Sequence, residues 1–188
     1  MSGENFGFQM FLPLLGQSLV AVPMGYLRKQ VEVLWKAQDA ANLIWEAEGE
    51  SEDKESGFKK SPQLVQADAE VRKREQELWH AIKNSTEFQE GTPRWLRHLA
   101  WAWLLSELFE FPAEITQTSS EKLACGRIRW RVTCRVWECE EHQFESSAEM
   151  AAADGESGSM GPFLASCALA FVNAIAQATG YEELRLEL

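Results

Sequence analysis

Hydrophobic residues recur every three or four positions in the first half of the chain, the spacing of one face of an α-helix. The first stripe consists of Leu27, Val31, Leu34, Gln38, Ala41 and Trp45. It predicts a helix over residues 26–48. A second stripe follows Ser61 and Pro62, a pair typical of a helix start, and runs to Ile82. We expect these two helices to form an antiparallel hairpin.

A third helix is predicted over residues 93–110, between the start signal Thr92-Pro93 and the helix-breaking Pro112. Its apolar residues cover most of the helix circumference, which predicts a central helix or an interface. The candidate interface residues are Trp95, Trp101, Trp103 and Phe111.

The pattern then changes to strict alternation, which is typical of a β-strand with two different faces. One face carries Arg127, Arg129, Arg131, Thr133 and Arg135, and the other carries Ile128, Trp130, Val132, Cys134 and Val136. Flanking strands are predicted near residues 114–118 and 143–150. An uncharged helix is predicted from Gly161 and Pro162 to Gly180. The alternating Leu184, Leu186 and Leu188 predict a last strand.

These elements predict an α+β fold, with an N-terminal helical region and a C-terminal β-β-β-α unit that contains a small antiparallel sheet. The helical region would span residues 1–112 and include an acidic linker at 48–60. The β-β-β-α region would span residues 113–188. We expect the two regions to form one compact unit.

The chain has 188 residues, and 45% of them are hydrophobic, as in ordinary globular proteins. Its net charge of −11 opposes non-specific attraction to nucleic acid or to anionic membranes. The uncharged residues 6–27 contain prolines, glycines and glutamines that fit a membrane span poorly. We therefore expect a buried hairpin or an interface segment there, with strands near 6–12 and 18–22. A cytoplasmic protein without a membrane role is the expectation.

The arginines of the alternating strand are the candidate nucleic-acid contacts, because alternate residues lie about 7 Å apart, close to the spacing of phosphates along a single strand. The candidate residues are Arg127, Arg129, Arg131, Arg135 and, for base stacking, Trp137. In the alternative interpretation they pair with glutamates of a neighbouring strand. The candidate partners are Glu138, Glu140, Glu141, Glu145 and Glu149.

Two further groups of residues resemble known functional motifs. Cys125, Cys134, Cys139 and His142 carry zinc-binding atoms, but alternation places Cys134 on the apolar face, so no metal or cofactor is expected. Arg74 and His80 resemble the short arginine/histidine motif of HEPN ribonucleases, in which both side chains would act at a dimer cleft. The chain contains no phosphate-binding glycine loop, G-x-S-x-G or H-E-x-x-H sequence, so no catalytic residue is predicted.

An arginine-bearing strand, a second strand FESSAEM, a loose linker and the helix GPFLASCALAFVNAIAQATGYEE follow one another at the C-terminus. This order, over residues 125–183, resembles the C-terminal part of Rad52/ERF-type single-strand annealing proteins. The resemblance implies that the strand arginines contact a phosphate backbone and that the protein forms a ring or filament. The helix of that family carries basic residues, and residues 166–177 carry none.

The first functional hypothesis is a non-enzymatic nucleic-acid-associated protein, either a single-strand binder or a subunit of a nucleoprotein complex. The alternative is an acidic adaptor, inhibitor or accessory subunit that acts on a protein partner. It is based on the net charge and on the apolar segments at residues 6–27 and 95–111, which exceed what one core buries. A HEPN-like ribonuclease is the third hypothesis, and a homo-oligomer is compatible with each.

Overall fold

The structure is a computed structural model that describes residues 23–49, 60–85, 90–137, 141–152 and 160–185. The chain divides into two compact units. The helical unit lies within Val22–Ser85, and the sheet unit contains the elements within Thr86–Leu188. The division falls before the third helix, whereas the sequence analysis placed its boundary after that helix, at residue 112.

The helical unit is a hairpin of two helices, α1 (Met24–Gly49) and α2 (Pro62–Lys83). Ser61 caps α2, since its hydroxyl accepts a hydrogen bond from the Leu64 amide at 3.1 Å, and Pro62 follows at the first helical position. The predicted start of α2 and most of the two stripes are confirmed. The buried side chains of the two helices are Leu27, Val31, Leu34, Ala41, Leu64, Leu78, Trp79 and Ile82. Trp45 belongs to the predicted stripe but is more than half exposed, because it lies close to the end of α1.

Helix α3 (Arg94–Phe109) opens the sheet unit and is buried on nearly all sides from His98 to Leu105. It ends at Glu110, whose backbone is left-handed (φ 52°) and whose N–H donates to the Ser106 carbonyl at 3.1 Å. This ending, two residues before Pro112, agrees with the prediction. The indole N–H of Trp101 donates to the Leu184 carbonyl at 2.9 Å and ties α3 to the C-terminal residues.

The sheet has three antiparallel strands in the order β1 (Ala113–Lys122), β2 (Ile128–Trp137) and β3 (Gln143–Ala151). The turn between β1 and β2 contains Gly126 at φ 84°, a conformation that favours glycine. A bulge between Ile115 and Gln117 shifts the register of β1 against β2. The central strand β2 therefore has hydrogen-bonded neighbours on both sides.

Helix α4 (Met160–Thr179) packs on β2 and β3 and also contacts α3. Its alanines and Ser166 allow a close approach: the Ser166 hydroxyl donates to the Trp130 carbonyl at 3.1 Å, and the Trp130 and Phe163 rings meet edge to face. The helix ends before Gly180, at φ 73°. Within the described residues α4 is the one helix long and apolar enough for a membrane span, and 61% of that stretch is buried inside the protein.

These elements confirm the predicted α+β class, with N-terminal helices followed by a β-β-β-α unit. The predicted last strand is wrong at Leu184, which is buried in a 3-10 helix, Glu182–Leu184, where its carbonyl accepts the Trp101 hydrogen bond. Leu186 and Leu188 lie outside the described residues. So do the predicted hairpin at residues 6–22 and most of the predicted linker, residues 50–59.

Candidate functional site

The predicted arginine stripe lies on the side of the sheet opposite α4. We call this side the sheet outer face and define it by Arg129, Arg131, Thr133 and Arg135 of β2 and their neighbours on β1 and β3. The residues that face α4 alternate with them along β2, and Val132, Cys134 and Val136 are buried. The alternation thus assigned the two faces of β2 correctly.

Each arginine of the sheet outer face forms an ion pair with a cross-strand glutamate. Arg135 contacts Glu145 at 2.9 Å and Glu114 at 3.5 Å. Arg131 is paired with Glu149, and Arg129 lies 3.9 Å from Glu121. These glutamates stand opposite the arginines in the strand register, which explains the pairing.

The sheet outer face therefore combines three arginines with four glutamates, two from β1 and two from β3. Its local charge is close to neutral, so it lacks the excess of positive charge that attracts a phosphate backbone. Sequence reasoning had considered Glu145 and Glu149 but missed Glu114 and Glu121. The missing information was the register of β1: the turn before β2 sets Glu121 opposite Arg129, and the bulge between Ile115 and Gln117 brings Glu114 opposite Arg135.

The alternation had predicted that Arg127 belongs to the arginine face of the strand, but this prediction is wrong. It lies in the turn before β2, where its guanidinium donates to the Cys125 sulfur at 3.1 Å and to the Ala152 carbonyl at 3.0 Å. The hydrogen bond from Arg127 holds the pKa of the exposed Cys125 thiol below its usual range. Trp137, the predicted stacking residue, ends β2 half-buried, and its backbone N–H donates to the Pro112 carbonyl at 3.1 Å.

The candidate zinc ligands are not brought together. Cys125 lies in the turn before β2 and His142 in the turn after it, and ten residues of strand separate these turns by roughly 30 Å. Cys134 is buried beneath α4, and Cys139 lies outside the described residues. No group of three or more potential metal ligands occurs within the part of the chain that the structure describes.

Arg74 and His80 are not brought together within one chain either. Six residues along a helix correspond to about 9 Å of rise and about 120° of rotation, so the two side chains leave α2 in different directions. Arg74 is held by Glu70 at 2.7 Å and by Glu77 at 2.9 Å. The HEPN-like arrangement thus needs a second chain to supply one of the two residues.

Of the four predicted interface residues, two belong to the core of the sheet unit and two are half-buried. Trp101 and Trp103 are buried in α3, Trp95 lies half-buried against Gly161, and Phe111 packs its ring against Phe109. This packing leaves Trp101 and Trp103 no surface to present to a partner. The apolar circumference of α3 is explained by burial between neighbouring elements.

Among the described residues, five of the seven large exposed apolar side chains lie on the helical unit, where the sequence patterns did not predict an interface. Trp35 is 47% exposed, Leu43 67% and Val65 54%. Each lies outside the buried stripe of its helix. The sequence signal that could have indicated this surface was Trp35, an aromatic residue that lies outside the apolar stripe of its predicted helix.

These residues share one side of the hairpin, which we call the hairpin outer face. Its exposed residues include Arg28, Glu32, Trp35, Lys36, Asp39, Leu43 and Glu46 on α1 and Val65, Ala69, Arg72, Lys73, Gln76 and Lys83 on α2. In each helix these residues lie about 100° from the buried stripe, measured in the direction in which the helix winds. Because the two helices run antiparallel with their buried stripes towards each other, the same rotation brings both sets of residues to the same side of the hairpin. A shallow groove runs along its α2 part, lined by Val65, Ala69, Arg72 and Gln76 among others.

Comparison with protein-family models, with curated proteins and with solved structures finds no match for this chain.

Proposed function

We propose that the protein acts without catalysis, as an adaptor, inhibitor or accessory subunit, and that the hairpin outer face binds its protein partner. The observation that carries the proposal is the exposure of Trp35, Leu43 and Val65 on one side of a two-helix unit. Helical surfaces with interspersed apolar and charged residues are common in helix-mediated recognition. Tryptophan is also among the residue types that most often dominate binding energy.

Charge supports a protein partner over nucleic acid. The chain carries a net charge of −11, and glutamates neutralise the arginines of the sheet outer face. A phosphate backbone would have to displace these glutamates before it reached the guanidinium groups. A protein partner can instead complement the mixed charges and apolar side chains of the hairpin outer face.

The proposal is tested by affinity capture from the cells that produce the protein, comparing the wild type with Trp35→Ser/Leu43→Ser. Both substitutions are on the surface and should leave the fold intact, which circular dichroism checks. We expect the variant to lose specific partners that the wild type retains. The matched control is Met160→Ser, which removes an exposed apolar side chain from the sheet unit. Identical sets of partners for all three proteins would contradict the proposal.

A second candidate is single-strand binding at the sheet outer face, as the resemblance to Rad52/ERF-type proteins implies. It is favoured by Arg131, whose side chain is 65% exposed although it is paired with Glu149. Surface ion pairs contribute only about 0 to 1 kcal/mol, so a phosphate could compete for such an arginine. Buried α4 carries no basic residue, so the sheet face alone would make the contacts.

Fluorescence anisotropy with single-stranded DNA and RNA at low and moderate salt tests this candidate. If Arg131 binds phosphate, Glu149→Gln should strengthen binding because it frees the guanidinium, and Arg131→Gln should weaken it. The absence of salt-sensitive binding at micromolar protein, in the wild type and in Glu149→Gln, would eliminate the candidate.

A further inference from the structure

We infer that the partner of the hairpin outer face presents an acidic segment, and that this segment docks in the groove along α2 with its carboxylates on Arg72 and Lys73. The inference rests on the proposed function, because it names the chemistry of the partner that the same surface binds. It is carried by the positive charge of the groove and by the lack of ion pairs at these two residues within the described ranges.

The groove follows one side of α2. Val65, Ala69, Arg72 and Gln76 follow one another at steps of four, three and four residues, which places them along one line of the helix about 16 Å long. The other lining residues are Lys60, Asp68 and Lys73. The groove has a volume of about 430 Å³, in the range of sites that bind a small molecule or a few side chains of a partner.

The groove is positive although the chain as a whole is acidic. Lys60, Arg72 and Lys73 contribute three positive charges and Asp68 one negative charge, whereas the net charge of the chain is −11. The basic residues of the whole hairpin outer face are Arg28, Lys36, Arg72, Lys73 and Lys83, and the acidic ones are Glu32, Asp39 and Glu46. The positive excess of this face therefore remains when the charges of α1 are included.

Two of the cations in the groove are available to a ligand. Arg72 and Lys73 are exposed, and neither makes an ion pair with another residue of the described ranges. Lys60 is instead paired with Asp68, and Arg74, which follows Lys73, is held by glutamates on another side of the helix. A guanidinium group binds a carboxylate through two parallel N–H donors, and an ammonium group can bind a second carboxylate beside it.

The apolar part of the groove lies towards the start of α2. Val65 is exposed, and Ala69 is small, so an aliphatic side chain of a partner can lie on both. Val65 and Arg72 are separated by seven residues, which corresponds to about 10 Å along the helix. The matching ligand thus combines an apolar side chain with carboxylates about 10 Å further along. An acidic amphipathic helix supplies this combination within about two turns.

A phosphate backbone fits the groove less well than a protein segment does. Asp68 in its wall, and Asp39 and Glu46 on the α1 part of the face, would repel a chain that carries a charge on every residue. A protein segment can instead place carboxylates only beside Arg72 and Lys73. Repulsion from more distant acidic residues is screened beyond about 8 Å at physiological ionic strength.

Fluorescence anisotropy on the full-length protein tests the inference with three labelled probes. The first is a helical peptide of leucine and glutamate, about 14 residues long, and the second has glutamine in place of glutamate. The third is a single-stranded oligothymidylate. We expect the leucine/glutamate peptide to bind about fivefold or more tightly than either of the other probes, because only this peptide matches both parts of the groove.

Charge reversal in the groove should remove this preference. Arg72→Glu/Lys73→Glu should weaken binding of the leucine/glutamate peptide about tenfold or more, and Arg72→Gln/Lys73→Gln should weaken it less. The matched control is Lys29→Glu/Lys122→Glu, which changes the net charge equally at exposed positions outside the groove. This control should bind within about twofold of the wild type. Circular dichroism checks that all variants are folded.

A cross-link locates the bound carboxylate. A carbodiimide couples an amine to a carboxylate that it contacts, so it should join Lys73 to a glutamate of the peptide, which mass spectrometry identifies. Lys73→Arg keeps the positive charge and should therefore keep the binding, but it should lose this cross-link.

Equal binding of the two peptides, or an equal effect of the groove reversal and its control, overturns the inference. Oligothymidylate that binds as tightly through Arg72 and Lys73 also overturns it, in favour of nucleic acid. Partner capture separates the inference from the proposed function. If Arg72→Glu/Lys73→Glu retains the partners that Trp35→Ser/Leu43→Ser loses, only the inference is wrong, whereas capture that does not depend on Trp35 and Leu43 contradicts the proposed function.

Discussion

At the scale of single residues, burial and neighbouring charges shift the pKa values of three thiols and of His98 in the sheet unit in different directions. Cys134 and Cys167 are buried between the sheet and α4, and burial raises the pKa of each thiol to about 12. The exposed Cys125 has a lowered pKa because of its hydrogen bond from Arg127. His98 is buried in α3, where burial and, to a lesser extent, the charge of Arg94 lower its pKa to about 4.

Cys125 should be the most reactive of the three described thiols. Iodoacetamide at neutral pH is expected to modify it first, because the thiolate is the nucleophile and Arg127 stabilises the thiolate. Arg127→Gln should slow this modification several-fold, and Arg129→Gln, which removes the same charge without touching Cys125, should not. Peptide mass spectrometry in a Cys139→Ser background measures the rates. Equal rates in both arginine variants would contradict the assignment.

His98 should make stability depend on pH. Its pKa is about 4 in the folded state and near 6.5 when unfolded, so below pH 6.5 the unfolded chain binds the additional proton. The stabilisation is present above pH 6.5 and is lost as the pH falls towards 4, by about 3 kcal/mol in total.

Urea unfolding at a series of pH values measures this loss. The variant His98→Leu has no imidazole to protonate and should lose less stability over the same range. Its free energy of unfolding at pH 7 need not match that of the wild type, since the comparison concerns the slope. Equal slopes for both proteins would show that other groups cause the pH dependence.

At the scale of elements, the helix ends are fixed by local chemistry. Ser61 and Pro62 start α2, and Gly180 follows the end of α4 in a left-handed conformation. Helix α3 is different, because Glu110 adopts the left-handed conformation that glycine usually supplies. A residue with a Cβ pays about 1 to 2 kcal/mol for this conformation.

Glu110→Gly should therefore stabilise the protein by about 1 kcal/mol, although most substitutions to glycine destabilise. The matched control is Glu107→Gly inside α3, which should destabilise by about 1 kcal/mol because helical glycine is unfavourable. Urea unfolding of both variants tests the pair. A destabilised Glu110→Gly protein would show that the Glu110 side chain contributes more than its backbone strain costs.

Local patterns were sufficient to predict most elements. The spacing of apolar residues located α1 and α2, the prolines bracketed α3, and alternation located β2 and its two faces. These features depend on near neighbours in the sequence, so the sequence alone contains the information. The fold class followed from their order.

Features that depend on distant contacts could not be predicted. Whether Arg135 is paired depends on the register of β1, which the bulge between Ile115 and Gln117 changes, and on the register of β3. The burial of Trp101 depends on α4 and on Leu184, more than fifty residues further along the chain. The exposure of Trp35 depends on which side of the hairpin is covered. The sequence therefore indicated the correct faces of β2 but the wrong location for exposed apolar residues.

At the scale of the whole molecule, charge is distributed in two different ways. On the sheet outer face opposite charges are paired across the strands, whereas on the hairpin outer face charged residues surround the exposed side chains of Trp35, Leu43 and Val65. Paired charges leave little attraction for a ligand, and exposed apolar side chains among charges leave a surface that a protein partner can complement. Binding is therefore expected on the helical unit.

Hydroxyl-radical footprinting of the full-length protein, free and in complex with the partner that it captures, tests this placement most directly. We predict that oxidation of Trp35, Leu43 and Val65 falls in the complex, while that of Ile128 and Met160, which are exposed on the sheet unit, stays constant. Unchanged oxidation of the hairpin outer face, or protection of Ile128 and Met160 instead, would contradict the account.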